Sequence, residues 1–267
     1  MKHPYHPQHL IPGTLPTGKT FVFRARWDGL GDNLLWSPVP EMAKKSGFSR
    51  VYFDESAGYR DPNIKKLVWE SNPYLDGFYI PKKSNPLELP PARVIDPYDE
   101  RQYPDQSMMF GHGGSFSIQD WGLRLLGFTG GGHKAVIYNI NLPVVQEVVG
   151  KTVLDPNFCT GDYCGDARSH ESFKDKARQW VLMHKIDVQL HCSKYNTAFF
   201  QGIGETLRCN DLMKYASIIK SCDKFICVLS GGHDLAIALG KRPVVLLWKR
   251  ANKSSFNKYA DYVWLND

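Results

Sequence analysis

Two short turns bring together the residue types from which a reactive site can be built. The first, Gly29-Leu30-Gly31-Asp32, interrupts the apolar strand-like run that begins at Phe21 and is followed by a helix-like one. The second, Ser230-Gly231-Gly232-His233-Asp234, follows the apolar run Cys227-Val228-Leu229 and leads into an alanine-bearing helical stretch that ends at Gly240. Glycine lets a backbone approach a ligand closely, and a helix that starts there offers N–H groups and the positive end of its dipole. In the second turn the Ser230 hydroxyl and the amides of Gly231 and Gly232 then suit a diphosphate; a tight strand-to-helix connection accounts for the same residues without a ligand. His233 alone is a weak candidate. A carboxylate repels phosphate at a helix start. The first turn also lacks the third glycine of a dinucleotide fingerprint and the Lys-Ser/Thr of a P-loop. Asp32 is therefore either the N-cap of the following helix or an acid/base group in a turn where Gly29 and Gly31 admit an acceptor.

Other candidates carry less. Lys249 and Arg250, with Lys253, follow the apolar run Arg242 to Trp248, at the strand end where α/β sheets bind ligands. They suit donor phosphate or a polyanionic acceptor, or simply a solubilising loop. His112, in Phe110-Gly-His-Gly-Gly, suits an acceptor contact or a turn. Cys159 and Cys164 with His170 nearby form a Cys-x4-Cys pattern without a second close pair, which is poor zinc spacing and better read as thiols in a mobile loop. His3, His6 and His9 recur every three residues in a stretch that reads as a solvated tail. No metal site is expected.

The elements that must position these residues alternate. Strand-like runs at 20–25, 50–54, 76–80 and 92–96, with a helix over 117–127, make a first α/β set. A short helix-like stretch at 143–150 leads to a second set. Its strands are expected at 151–157, 186–191, 224–229 and 242–248, and its helices at 170–185, 210–222 and 233–240, with Asn210 or Asp211 as an N-cap. The division is residues 1–18 as a flexible arm, 19–149 as one α/β domain and 150–267 as another.

At 267 residues the chain is long enough for two such domains. Its hydrophobic content is 42%, and no run reaches the roughly 18 apolar residues of a membrane span. The start lacks the continuous apolar segment of a secretory signal, so a cytoplasmic protein with reduced thiols is expected. The net charge of +6, from 33 basic and 27 acidic residues, suits a polyanionic partner such as DNA or a phosphorylated glycan, but equally a nucleotide diphosphate.

The stretch Gly29 to Phe53 resembles the N-terminal signature of heptosyltransferase-like glycosyltransferases: a Gly-x-Gly-Asp turn, a short apolar stretch, a Ser/Thr-Pro step (Ser37-Pro38) and a helix. Trp69-Glu-Ser-Asn-Pro-Tyr-Leu-Asp76 resembles their Asn-Pro-Tyr-hydrophobic-Asp segment, and Leu212 to Leu247 resembles their donor-binding helix, strand, turn and helix. The likeness touches both ends of the chain in the correct order. It implies a glycosyltransferase-B fold of two Rossmann-like domains facing a cleft. The first would receive an acceptor and the second a nucleotide-diphosphate sugar as co-substrate, with inverting transfer that needs no metal or other cofactor. By the same correspondence Asp32 matches the proposed general base, Ser230, Gly231 and Gly232 line the diphosphate, and Glu205 lies where relatives approach the nucleoside. Leu229 stands where many relatives carry Asp, and Asp234 where they carry His, with His233 one place earlier. A short, basic transferase of this kind would also suit a phage enzyme that modifies hydroxylated DNA bases. The other reading is a non-catalytic module that binds a nucleotide or glycan on a degenerate transferase fold.

Overall fold

The computed structural model describes residues 20–23, 25, 28–55, 58–79, 93–95, 134–157, 167–193, 200, 202–248 and 258–265. The expected arm at 1–18 and helix at 117–127 lie outside these residues. The chain divides into two compact units between Ile140 and Asn141.

The first unit is built on β1 (Thr20–Phe23), β2 (Arg50–Asp54), β3 (Gly77–Tyr79) and β4 (Arg93–Ile95), a fully parallel sheet in the order β3-β2-β1-β4. Every residue of β1 is buried, as expected of a central parallel strand with both faces covered. Between β1 and β2 run α1 (Leu30–Trp36) and α2 (Val39–Lys45). Pro38 cannot donate a helical hydrogen bond, so the helix breaks there and α2 restarts with Pro38 as its N-cap. The core is aromatic: Phe23 packs edge-on against Phe53, and Phe53 stacks on Trp69 with ring centroids 4.3 Å apart. Trp69 is delivered by a π-helical segment, Lys65–Glu70, which buries Leu67, Val68 and Trp69 together.

The motif residues between these elements act as ties. Asn33 is buried; its side-chain amide donates to the Gly29 carbonyl at 2.8 Å, and its Oδ1 accepts from Trp69 Nε1 at 2.7 Å. Asn72 accepts from the Tyr74 amide across Pro73 at 3.0 Å and donates to the Ser37 carbonyl at 3.3 Å. Asp76 takes the Val51 amide and the Lys44 ammonium, each at 2.6 Å. The apolar segment 135–140 forms no strand and is held by side chains instead: the Val136 amide donates to Ser37 Oγ at 2.8 Å, and Tyr138 Oη donates to Glu41 at 2.7 Å.

The second unit holds β5 (Thr152–Asp155), β6 (Val188–His191), β7 (Glu205–Arg208), β8 (Lys224–Val228), β9 (Val244–Trp248) and β10 (Asp261–Leu265), all parallel, in the order β10-β9-β8-β5-β6-β7. Its helices are α3 (Ala167–Leu182), α4 (Leu212–Ser221) and α5 (Gly231–Ala238). Phe173, Ala177 and Val181 recur every four residues along α3 and join Leu154, Ile226, Val228 and Leu246 in one core. Asp211 caps α4, accepting from the Lys214 amide at 2.7 Å. The helix-like stretch at 143–150 shrinks to one 3-10 turn, Gln146–Val148, tied to α4 by the Val145 amide on Ser221 Oγ and to the next residue by a bridge between Val149 and Cys222. β7 escapes the sequence reading because its exposed, polar-rich residues lack the apolar run of a central strand; β10 is also missed, although Tyr262–Leu265 is an apolar, half-buried run.

Removing the Asn33 side chain would strand Trp69 Nε1 without an acceptor. Asn33→Ala is expected to lower unfolding free energy by about 2–4 kcal/mol, read by urea titration, because a buried donor loses its partner and a cavity opens.

Candidate functional site

In an open parallel sheet, the strand whose two neighbours are reached by connections running opposite ways leaves a crevice at its carboxyl end. In the first unit this strand is β1, flanked by β2 and β4; in the second the split falls between β5 and β8. Both glycine turns occupy these positions. Asp28 and Gly29 follow β1, and Ser230 follows β8, whose neighbour β5 ends beside it with Asp155 in register with Cys227.

At the first turn the N-cap of α1 is Gly29, and no side chain caps it. The N-cap alternative for Asp32 is thereby overturned: it lies in the first helical turn, at the third position, where an acidic side chain folds back toward the cap. Its Oδ2 lies 2.7 Å from where a Gly29 Cβ would stand, and Arg60 Cζ lies 4.0 Å from the same point. Gly29 has an ordinary φ of −72°, so the glycine is required by this close approach and not by its backbone conformation. Arg60, which sequence reasoning missed, bonds Asp28 twice: through its amide to the Asp28 carbonyl and through its guanidinium to the carboxylate, both at 2.9 Å. Gly31 lies within α1, half-buried. The result is a turn with two carboxylates and one guanidinium gathered over a bare Cα.

At the second turn Ser230 is the N-cap of α5, and its Oγ accepts from the Gly232 amide at 3.2 Å. Asp155, buried at the end of β5, accepts from the Asn157 amide at 3.0 Å, from the Asn157 side chain and from Tyr215 Oη. Burial pushes its carboxyl up, opposed by the hydrogen bonds from Tyr215 and Asn157. A Cβ on Gly232 would stand 2.1 Å from Tyr215 Oη and 3.2 Å from Asp155 Oδ2, so the turn fits only because Gly232 has none. Neither Asp155 nor Tyr215 was legible as a site residue; the one signal was the polar Asp155-Pro156-Asn157 ending an apolar strand.

His233 is buried inside α5, with Nδ1 donating to the Ser230 carbonyl at 2.8 Å. Its Nε2 approaches Asp234 Oδ1 at 3.2 Å but makes no hydrogen bond. Asp234 is also buried, and desolvation lifts its carboxyl to about 6 against the favourable charge of His233. Glu205 is a correction: it begins β7, at the amino edge of the sheet, exposed and paired with Lys151 at 3.1 Å. The strands are parallel, so this is the edge opposite Ser230, and Glu205 cannot share a ligand with that turn. His112, Lys249 and Arg250 lie outside the described residues, as do Cys159 and Cys164. Among the described residues no cluster of three His, Cys, Asp or Glu could hold a metal ion, and no helix is long and apolar enough to cross a membrane.

No protein-family model and no curated protein matches the sequence. Solved structures do match its fold. The iron-containing dodecameric glycosyltransferase TibC of enterotoxigenic E. coli aligns over 92% of this chain at 15% identity with a TM-score of 0.60. The chain spans 62% of TibC's length. A family 9 glycosyltransferase of Veillonella parvula aligns over 93% of this chain and 86% of its own, at 13% identity and TM-score 0.61. The E. coli heptosyltransferase WaaC with ADP aligns over 92% and 93%, at 12% identity and TM-score 0.53. The chain thus has the mixed α/β fold with parallel sheets of heptosyltransferase-type, glycosyltransferase-B enzymes, at a distance in sequence that makes it divergent.

Gly232→Ala is expected to cost about 1–3 kcal/mol through overpacking against the rigid Tyr215 ring, and less in a Tyr215→Phe background, where the colliding oxygen is gone. Equal costs in both backgrounds would contradict the contact. Asp234 sets a pH dependence. The folded state keeps it protonated to about pH 6, whereas the unfolded chain releases the proton near about pH 4. The stability tied to the neutral form is therefore complete below about pH 4 and lost as pH rises through about 6, amounting to about 3 kcal/mol. Asp234→Asn should match the wild type at pH 4 and exceed it at pH 8 in denaturant titrations.

Proposed function

We propose that this protein is an inverting glycosyltransferase that moves a sugar from a nucleotide-diphosphate donor to a hydroxyl acceptor. The observation that carries the reading is the pair of glycine turns at the carboxyl ends of the two sheets' switch-point strands, one holding a carboxylate over a bare Cα and the other heading a helix. The neighbours supply the class: WaaC was solved with ADP, and TibC with ADP-D-beta-D-heptose.

In this reading Asp32 accepts the proton of the acceptor hydroxyl as its oxygen attacks the anomeric carbon, and the bond from that carbon to the diphosphate breaks. Gly29 and Gly31 leave room for the acceptor. The α5 dipole, with the Gly231 amide, receives the negative charge that accumulates on the leaving diphosphate, and Gly232, whose amide bonds Ser230 Oγ, lines the same turn. Ser230 shapes this turn by capping α5, and His233 fixes it from within through the Ser230 carbonyl. No metal takes part, so chelator should leave turnover unchanged. The setting is cytoplasmic, and the acceptor is a glycan or a hydroxylated base of DNA.

A specific observation favours a second reading, a binding module without turnover. Asp234 sits in the first turn of α5, where an ionised carboxylate opposes a bound diphosphate.

Transfer or hydrolysis of a nucleotide-diphosphate sugar by the wild type separates the two, and Asp32→Asn tests the base. The transferase reading expects turnover to fall by about 10²–10⁴-fold with donor affinity retained, as for loss of a general base. Unchanged turnover would make Asp32 structural. Gly29→Ala should also lower turnover while leaving the fold intact, because the new methyl displaces the flexible Asp32 carboxylate from its place.

A further inference from the structure

Cys192 and Cys209 stand side by side just beyond two neighbouring strands. The β6–β7 register pairs His191 with Arg208, and the Cys209 amide donates to the His191 carbonyl at 2.9 Å. That bond carries the parallel ladder one residue further and sets Cys192 opposite Cys209. The chains stay aligned beyond it, where the Ser193 amide donates to Asn210 Oδ1 at 2.9 Å. Residues in register on parallel strands share a face, and adjacent strands lie about 4.8 Å apart, inside the about 4.4–6.8 Å window of Cα separations that a disulfide spans. The two sulfurs are close enough to interact electrostatically. Both are reduced in this structure.

Their surroundings differ in a way that divides the labour. Cys192 is partly open to solvent, whereas Cys209 is buried with its Sγ donating to the Asp211 carbonyl at 3.4 Å. Burial pushes the Cys209 thiol up to about 11, which leaves the more accessible Cys192 as the thiol a reagent meets first. Cys222 and Cys227 are buried elsewhere in the unit and offer a reagent no comparable access.

We propose that Cys192 and Cys209 form a redox-reactive dithiol that closes to an intramolecular disulfide by exchange with a low-molecular-weight disulfide such as oxidised glutathione. Cys192, as thiolate, attacks one sulfur of the reagent; the reagent's S–S bond breaks, and one thiolate leaves and takes up a proton. Cys209 then gives its proton to solvent and attacks the Cys192 sulfur, expelling the second reagent thiolate, which is protonated in turn. Two protein thiols and one reagent disulfide become one protein disulfide and two reagent thiols. The bond would join the carboxyl ends of β6 and β7 and close residues 192–209 into a covalent loop. It does not depend on the transfer reaction.

The test is to incubate the reduced full-length protein with oxidised glutathione, trap free thiols with an alkylating agent, and map the non-reduced digest by mass spectrometry. The wild type should give the Cys192 and Cys209 peptides joined to each other. Cys209→Ser should stop with glutathione on Cys192, and Cys192→Ser should reduce modification at Cys209 to background. The proposal is overturned if the wild type retains glutathione on Cys192 to the same extent as Cys209→Ser. It is equally overturned if Cys192 pairs with Cys159 or Cys164, or if neither thiol reacts.

Discussion

A carboxylate buried at the end of a strand must be hydrogen-bonded, and much of the second unit is arranged around meeting that requirement for Asp155. Tyr215 must come from α4, Asn157 from the residues directly after β5, and the first turn of α5 must carry no side chain where the three meet. This fixes where α4 and α5 sit relative to the β5/β8 split, and therefore where the α5 dipole points. The same requirement holds in the first unit on a neutral group. Asn33 fixes the start of α1 by holding the Gly29 carbonyl and the Trp69 indole at once.

Two glycines illustrate how close approach, and not backbone freedom, determines residue choice. Neither Gly29 nor Gly232 has a left-handed φ. At Gly29 the crowding atom belongs to a short, rotatable carboxylate, so a methyl group would shift the proposed base and spare the fold. At Gly232 it is the hydroxyl of a half-buried aromatic ring held on Asp155, so a methyl group would strain the fold itself.

The sequence made the alternation of strands and helices visible wherever the elements are apolar: β1, β2, β5, β8 and β9 follow continuous hydrophobic runs, and Asp211 announces α4. The exposed edge β7 was not visible, since a strand that borders solvent needs no such run, whereas the apolar Tyr262–Leu265 of β10 carried a signal that was passed over. Ala135–Ile140 is apolar and yet forms no strand. Its β-branched and aromatic residues are satisfied by Ser37 and Glu41 side chains rather than by a neighbouring strand. Both glycine turns could be located from spacing, because the signal is local. Arg60, Asn33, Asp155 and Tyr215 could not, since each matters through a partner distant in the chain. Glu205 was placed by the resemblance, and a match in sequence order says nothing about which edge of the sheet a residue reaches.

The central claim is that a nucleotide-diphosphate donor binds at the β5/β8 split, and amide hydrogen exchange with and without such a donor tests it most directly. A donor is first selected by its ability to raise the melting temperature, since binding to the folded state alone stabilises it. The account predicts slowed exchange at residues 229–234 and 155–157, with β7 around Glu205 unchanged. Protection centred on the amino edge of the sheet, or no stabilisation by any nucleotide-diphosphate sugar, would contradict it.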